Sequence, residues 1–166
     1  MSSQEVDKRA VELMENGLHC AEAVLVAVLE GQNLPTDMAP RAASAFGAGV
    51  GRSKKGLCGA LSGGLIALGL AQGRDTSRES WNDVAAKADA MRQWFAGNFG
   101  CSRCEVVLEK LGPQDGNELC IGLTGRTAAK FHEVLNAPAA AKTGSCGCSC
   151  SAQVAAPAPS SGCGCS

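Results

Sequence analysis

The sequence predicts an all-α protein: a compact bundle of five to six helices over residues 3–136, followed by a disordered, cysteine-rich tail over 137–166. Three observations carry that expectation. Apolar residues recur at three- and four-residue steps in one segment after another. No run of alternating apolar and polar residues competes as a strand. Past Asn136 the composition changes abruptly. Ala137–Ser166 has no aromatic residue and one charge, Lys142, and is otherwise almost all Ala, Pro, Gly, Ser and Cys, too little apolar surface to offset its ordering entropy.

At 166 residues and 45% hydrophobic content, the chain has the size and composition of one domain with a core. The net charge is −1 and the basic residues are scattered, which argues against a nucleic-acid partner. The opening MSSQEVDKRAVELMENG lacks the basic start, apolar core and cleavage site of an export signal, so a cytoplasmic protein is expected. Gly56–Gly73 is uncharged but glycine-rich and barely long enough to span a bilayer. It reads as a buried helix rather than a membrane insertion.

The elements follow in order. Val6, Ala10, Leu13 (or Met14), Gly17, Ala21, Val24 (or Leu25) and Val28 predict one long amphipathic helix over Gln4–Glu30, with Cys20 near its buried face. Gly31-Gln32-Asn33 ends it. A second helix opens at Leu34-Pro35-Thr36-Asp37, with Asp37 as N-cap and Pro40 in the first turn. It runs through Met38, Ala42, Ala45 and Phe46 into the Gly47–Gly51 loop. Cys58–Ala71 is ambiguous by periodicity. Its Ala and Leu content favours helix, and each glycine weakens the helix by up to about 1 kcal/mol. Gly59 and Gly63, or Ala60 and Gly64, leave a smooth face for a close neighbour, either another helix or the same face of a second copy in a homodimer. Ser80–Asn98 is the clearest helix, with Trp81, Val84, Ala88, Met91 and Phe95 on one face. A short helix over Glu105–Leu111 follows Cys101-Ser102-Arg103-Cys104. Thr124 is expected to cap a last helix carrying Thr127, Phe131, Val134 and Leu135.

Ten cysteines in a reducing compartment point to metal or catalytic thiols rather than structural disulfides. Cys20, Cys58, Cys104 and Cys120 lie one per segment, so separate elements can bring their sulfurs to one point. Alternatively each is a small apolar filler. Around Cys58, near-absent side chains let backbone or a bulky inorganic group approach its sulfur closely. Cys101 and Cys104, three apart at a helix start, could instead form a redox disulfide, with pKa lowered by the helix dipole and Arg103. No βαβ pattern surrounds them. In the tail, Cys146-Gly147-Cys148-Ser149-Cys150 and Cys163-Gly164-Cys165 suit Cu(I) or Zn(II), as an arm that delivers metal or sulfur to a partner or stores it; alternatively these thiols bind nothing specific. His19 and His132 read as surface or satisfied histidines. Gly47-x-Gly49-x-Gly51 has neither the preceding strand nor the lysine of a phosphate loop, and no catalytic triad is present.

Taken in order, Cys20 in a Cys-Ala-Glu-Ala-Val helix, Phe46–Gly51, Cys58-Gly59-Ala60-Leu61-Ser62-Gly63, Cys104–Leu108 and Cys120 resemble the C_GCAxxG_C_C family of small redox-active proteins. The resemblance covers about residues 5–136 and implies a helical domain. A related domain in the split-Soret cytochromes holds an iron–sulfur cluster on cysteines. The resemblance therefore implies a [2Fe–2S] or [4Fe–4S] cluster on Cys20, Cys58, Cys104 and Cys120. Gly59, Gly63 and Gly64 would leave room for it and bring backbone N–H donors near, while Arg52, Lys54, Lys55 and Arg103 would balance its charge. This chain departs from the pattern in its extra Cys101, the short stretch from Gly112 to Cys120 and the lack of a proline after Cys120. Cys101 or a tail thiol is thus the alternative fourth ligand. Zinc is the rival metal, but structural zinc sites favour close cysteine pairs, and the helical domain has only Cys101 and Cys104 so spaced.

The expected function is electron transfer or redox or metal sensing, without catalysis and with a redox or metal-handling protein partner. The alternatives are soft-metal or sulfur trafficking through the tail and a thiol–disulfide oxidoreductase using Cys101 and Cys104.

Overall fold

The computed structural model describes residues 1–137. The expectations for the tail, including Cys146, Cys148, Cys150, Cys163 and Cys165, lie outside the described residues. Within them the chain is all-α: seven α-helices and one 3₁₀ turn, with no strand. Extended pairing is limited to a single antiparallel bridge between Leu57 and Arg103.

The long first helix divides in two. α1, Ser3–Glu15, opens on a capping box in which Ser2 and Glu5 satisfy each other's backbone N–H. It closes at Asn16, whose backbone and side-chain N–H groups both donate to the Glu12 carbonyl, at 2.9 and 2.7 Å. Gly17 then turns left-handed at φ +99°. α2, Cys20–Gly31, restarts from His19, whose N–H donates to the Glu22 carboxylate at 2.7 Å. The break puts Cys20 at a helix start instead of mid-helix.

α2 is the central element, buried from Ala21 to Leu29 and packed against α1 and the later helices. α3, Ala39–Ala43, carries Pro40 in its first turn as expected, although Met38 and not Asp37 precedes it as N-cap. It passes into a 3₁₀ turn, Ser44–Phe46. α4, Gly59–Gln72, lies between α2 and α7 (Glu118–Asn136). A Cβ on Gly63 would run into the Ala21 carbonyl, and one on Gly64 into the Phe131 ring. The smooth face is therefore filled by the chain's own helices.

α5, Asn82–Phe99, buries Met91, Phe95 and Phe99, but Trp81 stands before its first turn and is 60% exposed. α6, Cys104–Leu111, is the short helix expected there. α7 begins six residues before Thr124, which is buried mid-helix and caps nothing. Among the described residues, no helix is long and apolar enough to cross a membrane.

Candidate thiol site

Four cysteines stand in the opening turns of four helices. Cys20 is the first residue of α2, Cys58 the N-cap of α4, Cys104 the first residue of α6 and Cys120 the third of α7. All four border one cavity of about 270 Å³. Helix starts present unpaired backbone N–H groups and the positive end of the dipole, which a bound anionic group would meet.

Backbone contacts hold the sulfurs in place. The Cys58 N–H donates to the Ser102 carbonyl at 2.8 Å, and the Cys104 N–H to Gly56 at 3.0 Å. Those bonds flank the Leu57–Arg103 bridge and tie the start of α4 to the start of α6. The Cys20 sulfur lies against Gly59, where any Cβ would overlap it. Glu22 fixes the start of α2 a second time, accepting from Ser44 Oγ at 2.5 Å.

The loop before Cys58 is left-handed. Ala48, Gly49, Val50, Gly51 and Arg52 have φ between 49° and 75°, and Lys54 has φ 61°. Each non-glycine residue there costs about 1–2 kcal/mol. The turn is held by Gly51 N–H to Ala45 (2.9 Å), Lys54 N–H to Ala48 (3.0 Å) and Gly56 N–H to Gly49 (3.1 Å). Gly49 must be glycine: at φ +75° its Cβ would sit 2.7 Å from both Cys104 Cβ and Lys54 Cα. The loop is thus moulded onto Cys104.

Burial pushes the Cys58 thiol up to about 12, with the nearby Cys20 and Cys104 sulfurs adding to the shift. The Ala60 and Leu61 amides oppose it, favouring the thiolate without closing a full cap hydrogen bond. Cys104 is raised by burial and then by Cys20 and Cys120, against the pull of Lys54. Cys120 is raised by burial and by Cys20, while a hydrogen bond from Gln114 Nε2 at 3.5 Å lowers it. Cys58, Cys104 and Cys120 each feel at least one other site sulfur, and Cys20 acts on all three. All the described cysteines are free thiols.

Cys101 does not border the cavity. It is half-buried beside α6, its sulfur accepting the Arg103 N–H at 3.4 Å. Of the three glycines expected near a bound group, Gly59 alone touches a site sulfur. Gly63 and Gly64 serve helix packing against Ala21 and Phe131 instead. Lys54 borders the cavity, whereas Arg103 pairs with Glu105 at 2.9 Å.

Sequence reasoning missed three lining residues. His19, expected to be a surface or satisfied histidine, is exposed and also lines the cavity. Gln114 holds the first turn of α7, its Oε1 accepting from Leu119 and Cys120 N–H, a role without a sequence signature. Thr124 lines the cavity one turn after Cys120, and its buried hydroxyl has no hydrogen-bond partner. A buried polar atom of this kind is what a bound group with acceptor atoms would satisfy.

Among the described residues, no three His, Cys, Asp or Glu side chains converge tightly enough to hold one metal ion. A single tetrahedral zinc, with bonds of about 2.3 Å, would need the sulfurs drawn together. Four thiols spread around a roomy cavity suit a larger group with several bonding centres.

The family model described as "Putative redox-active protein (C_GCAxxG_C_C)" matches residues 18–134, a span that contains all four cavity cysteines. No curated protein and no solved structure matches the chain.

Proposed function

Because the chain belongs to the C_GCAxxG_C_C family, we propose that it is a non-enzymatic redox protein that holds an iron–sulfur cluster on Cys20, Cys58, Cys104 and Cys120. It works in the reducing cytoplasm, passing electrons to a protein partner. The observation that carries this reading is the meeting of four free thiols, from four helix N-termini, at one cavity. Bound there, the cluster supplies a one-electron couple.

The chain's own residues do the rest. Four thiolates act as ligands, and the helix starts and Lys54 offset their charge. Gln114 donates to the Cys120 sulfur, and Thr124 has a hydroxyl free to donate. The Cys58, Cys104 and Cys120 thiols are protonated in the metal-free protein because burial holds Cys58 near 12 and raises the other two. Loading must therefore release protons, and it strengthens with pH.

Anaerobic purification, or reconstitution with ferrous iron and sulfide, tests this reading. A brown protein whose visible absorption bleaches on reduction with dithionite is expected. A protein that stays colourless after reconstitution would refute it.

A further inference from the structure

We propose that the left-handed loop after Phe46 is the docking surface for an acidic redox protein, an inference that rests on the redox reading of the thiol site. Three observations meet there. Arg52, Lys54 and Lys55 are exposed and, among the described residues, take part in no ion pair. Phe46, at the end of the 3₁₀ turn, and Val50 in the loop are 36% and 46% exposed, a small apolar centre beside a charged rim. The same loop is also a wall of the thiol cavity. Ala48 and Lys54 line it, and Gly49 presses on Cys104.

The loop's conformation supports the assignment. A run of left-handed residues that includes the β-branched Val50 persists only where its surroundings over-determine it, and such strain clusters at binding sites. Here the backbone hydrogen bonds to Ala45, Ala48 and Gly49 and the bond from Glu105 N–H to the Lys54 carbonyl (2.8 Å) fix the loop before any partner arrives. A rigid, basic, partly apolar surface loses little order on binding. Its charge also runs against the molecule's net −1, so attraction of an anionic partner has to be local. Gln114, Gly116 and Asn117 line the same cavity, and Asp115 among them in sequence would repel an acidic partner from that stretch. A small contact suits a transient electron-transfer encounter.

The test uses the full chain purified anaerobically and the double variant Arg52→Gln/Lys55→Gln, which leaves the cavity-lining Lys54 in place. Hexacyanoferrate(III) and hexaammineruthenium(III) each take one electron from the site and become the corresponding (II) complex, with no proton moved. At about 0.01 M ionic strength the anion should react about tenfold or more faster than the cation. The charge-dependent part of that preference should vanish near about 1 M salt, where the Debye length is about 3 Å and only the two oxidants' different driving forces remain. The double variant should lose it at low salt.

Calorimetric titration at low salt should show an acidic flavodoxin binding the wild type and not the variant, and basic cytochrome c binding neither. Rates that follow the net charge, a variant that behaves as wild type, or stronger binding of cytochrome c would overturn the proposal. Iron and sulfide analysis judges the redox reading separately, because the flavodoxin titration reads the loop whether or not a cluster is present.

Discussion

Cys58 shows how the site is balanced at the scale of single residues. Burial holds its proton, while the amides of Ala60 and Leu61 favour its loss. Below pH about 9 the thiol is protonated in both the folded and the unfolded metal-free chain and does not affect stability. From about 9 to about 12 the unfolded chain ionises first, so stability falls as pH rises. Cys104 and Cys120 shift in the same direction. Urea unfolding of the metal-free protein should give a free energy that is level up to about pH 9 and then falls, by about 1.4 kcal/mol per pH unit for one fully linked thiol. A free energy that rises through that window would contradict the buried-thiol account.

Thr124 gives a second residue-level prediction. An unpartnered buried hydroxyl costs about 1–3 kcal/mol, so Thr124→Val should stabilise the metal-free protein in the same assay. If the hydroxyl donates to a bound cluster, the loaded variant should also shift to a more negative potential, since hydrogen bonds to sulfur help set that potential. Destabilisation of the metal-free variant would mean that the hydroxyl has a partner in the folded state. The sequence exposed the cysteines but not their companions. Cys58 stands out amid glycines, whereas Gln114 and Thr124 are ordinary residues whose roles exist only once α7 has formed.

At the scale of elements, the site depends on where helices start. The three- and four-residue apolar rhythm runs unbroken from Val6 to Val28, so periodicity alone predicts one helix. The break at Asn16–His19 is written instead in the Asn-Gly pair and in Glu22, three residues after His19. Thr124, expected to cap the last helix, stands between two glycines, Gly122 and Gly125, that do not break it. Both sit inside α7, and Gly125 is there because Asp7 of α1 packs against it. α5 was legible within a few residues because its apolar face and the glycine after it agreed. α4, ambiguous by periodicity, was legible from its Ala and Leu content and the glycine that ends it.

The close packing of α4 on α2 predicts opposite outcomes for two glycines. Gly63→Ala forces a methyl against the Ala21 carbonyl and should destabilise the fold by about 1–3 kcal/mol or more. Gly97→Ala, in the last turn of α5 with open space around it, should stabilise by up to about 0.5–1 kcal/mol. Thermal melts of the two variants check both signs. A tolerated Gly63→Ala would mean that the two helices do not approach this closely.

At the scale of the molecule, the bundle converts sequence distance into proximity. Cys20 and Cys120 are separated by most of the domain, yet α1 and α2 pack on α7 so that both helix starts face one cavity. The all-α class was legible because local periodicity is a local property. Convergence of the thiols was not, because it depends on how four helices are ordered around α2. The one-per-segment placement left convergence open and the family resemblance implied it; in the structure the four cysteines border one cavity.

The most direct test counts iron and acid-labile sulfide per chain in the wild type and in single serine variants of Cys20, Cys58, Cys104, Cys120 and Cys101, all purified anaerobically. The account predicts matched iron and sulfide in the wild type, loss or sharp reduction in each of the four cavity variants, and full retention in Cys101→Ser. Loss in Cys101→Ser with retention in Cys120→Ser, or a wild type without sulfide, would contradict it.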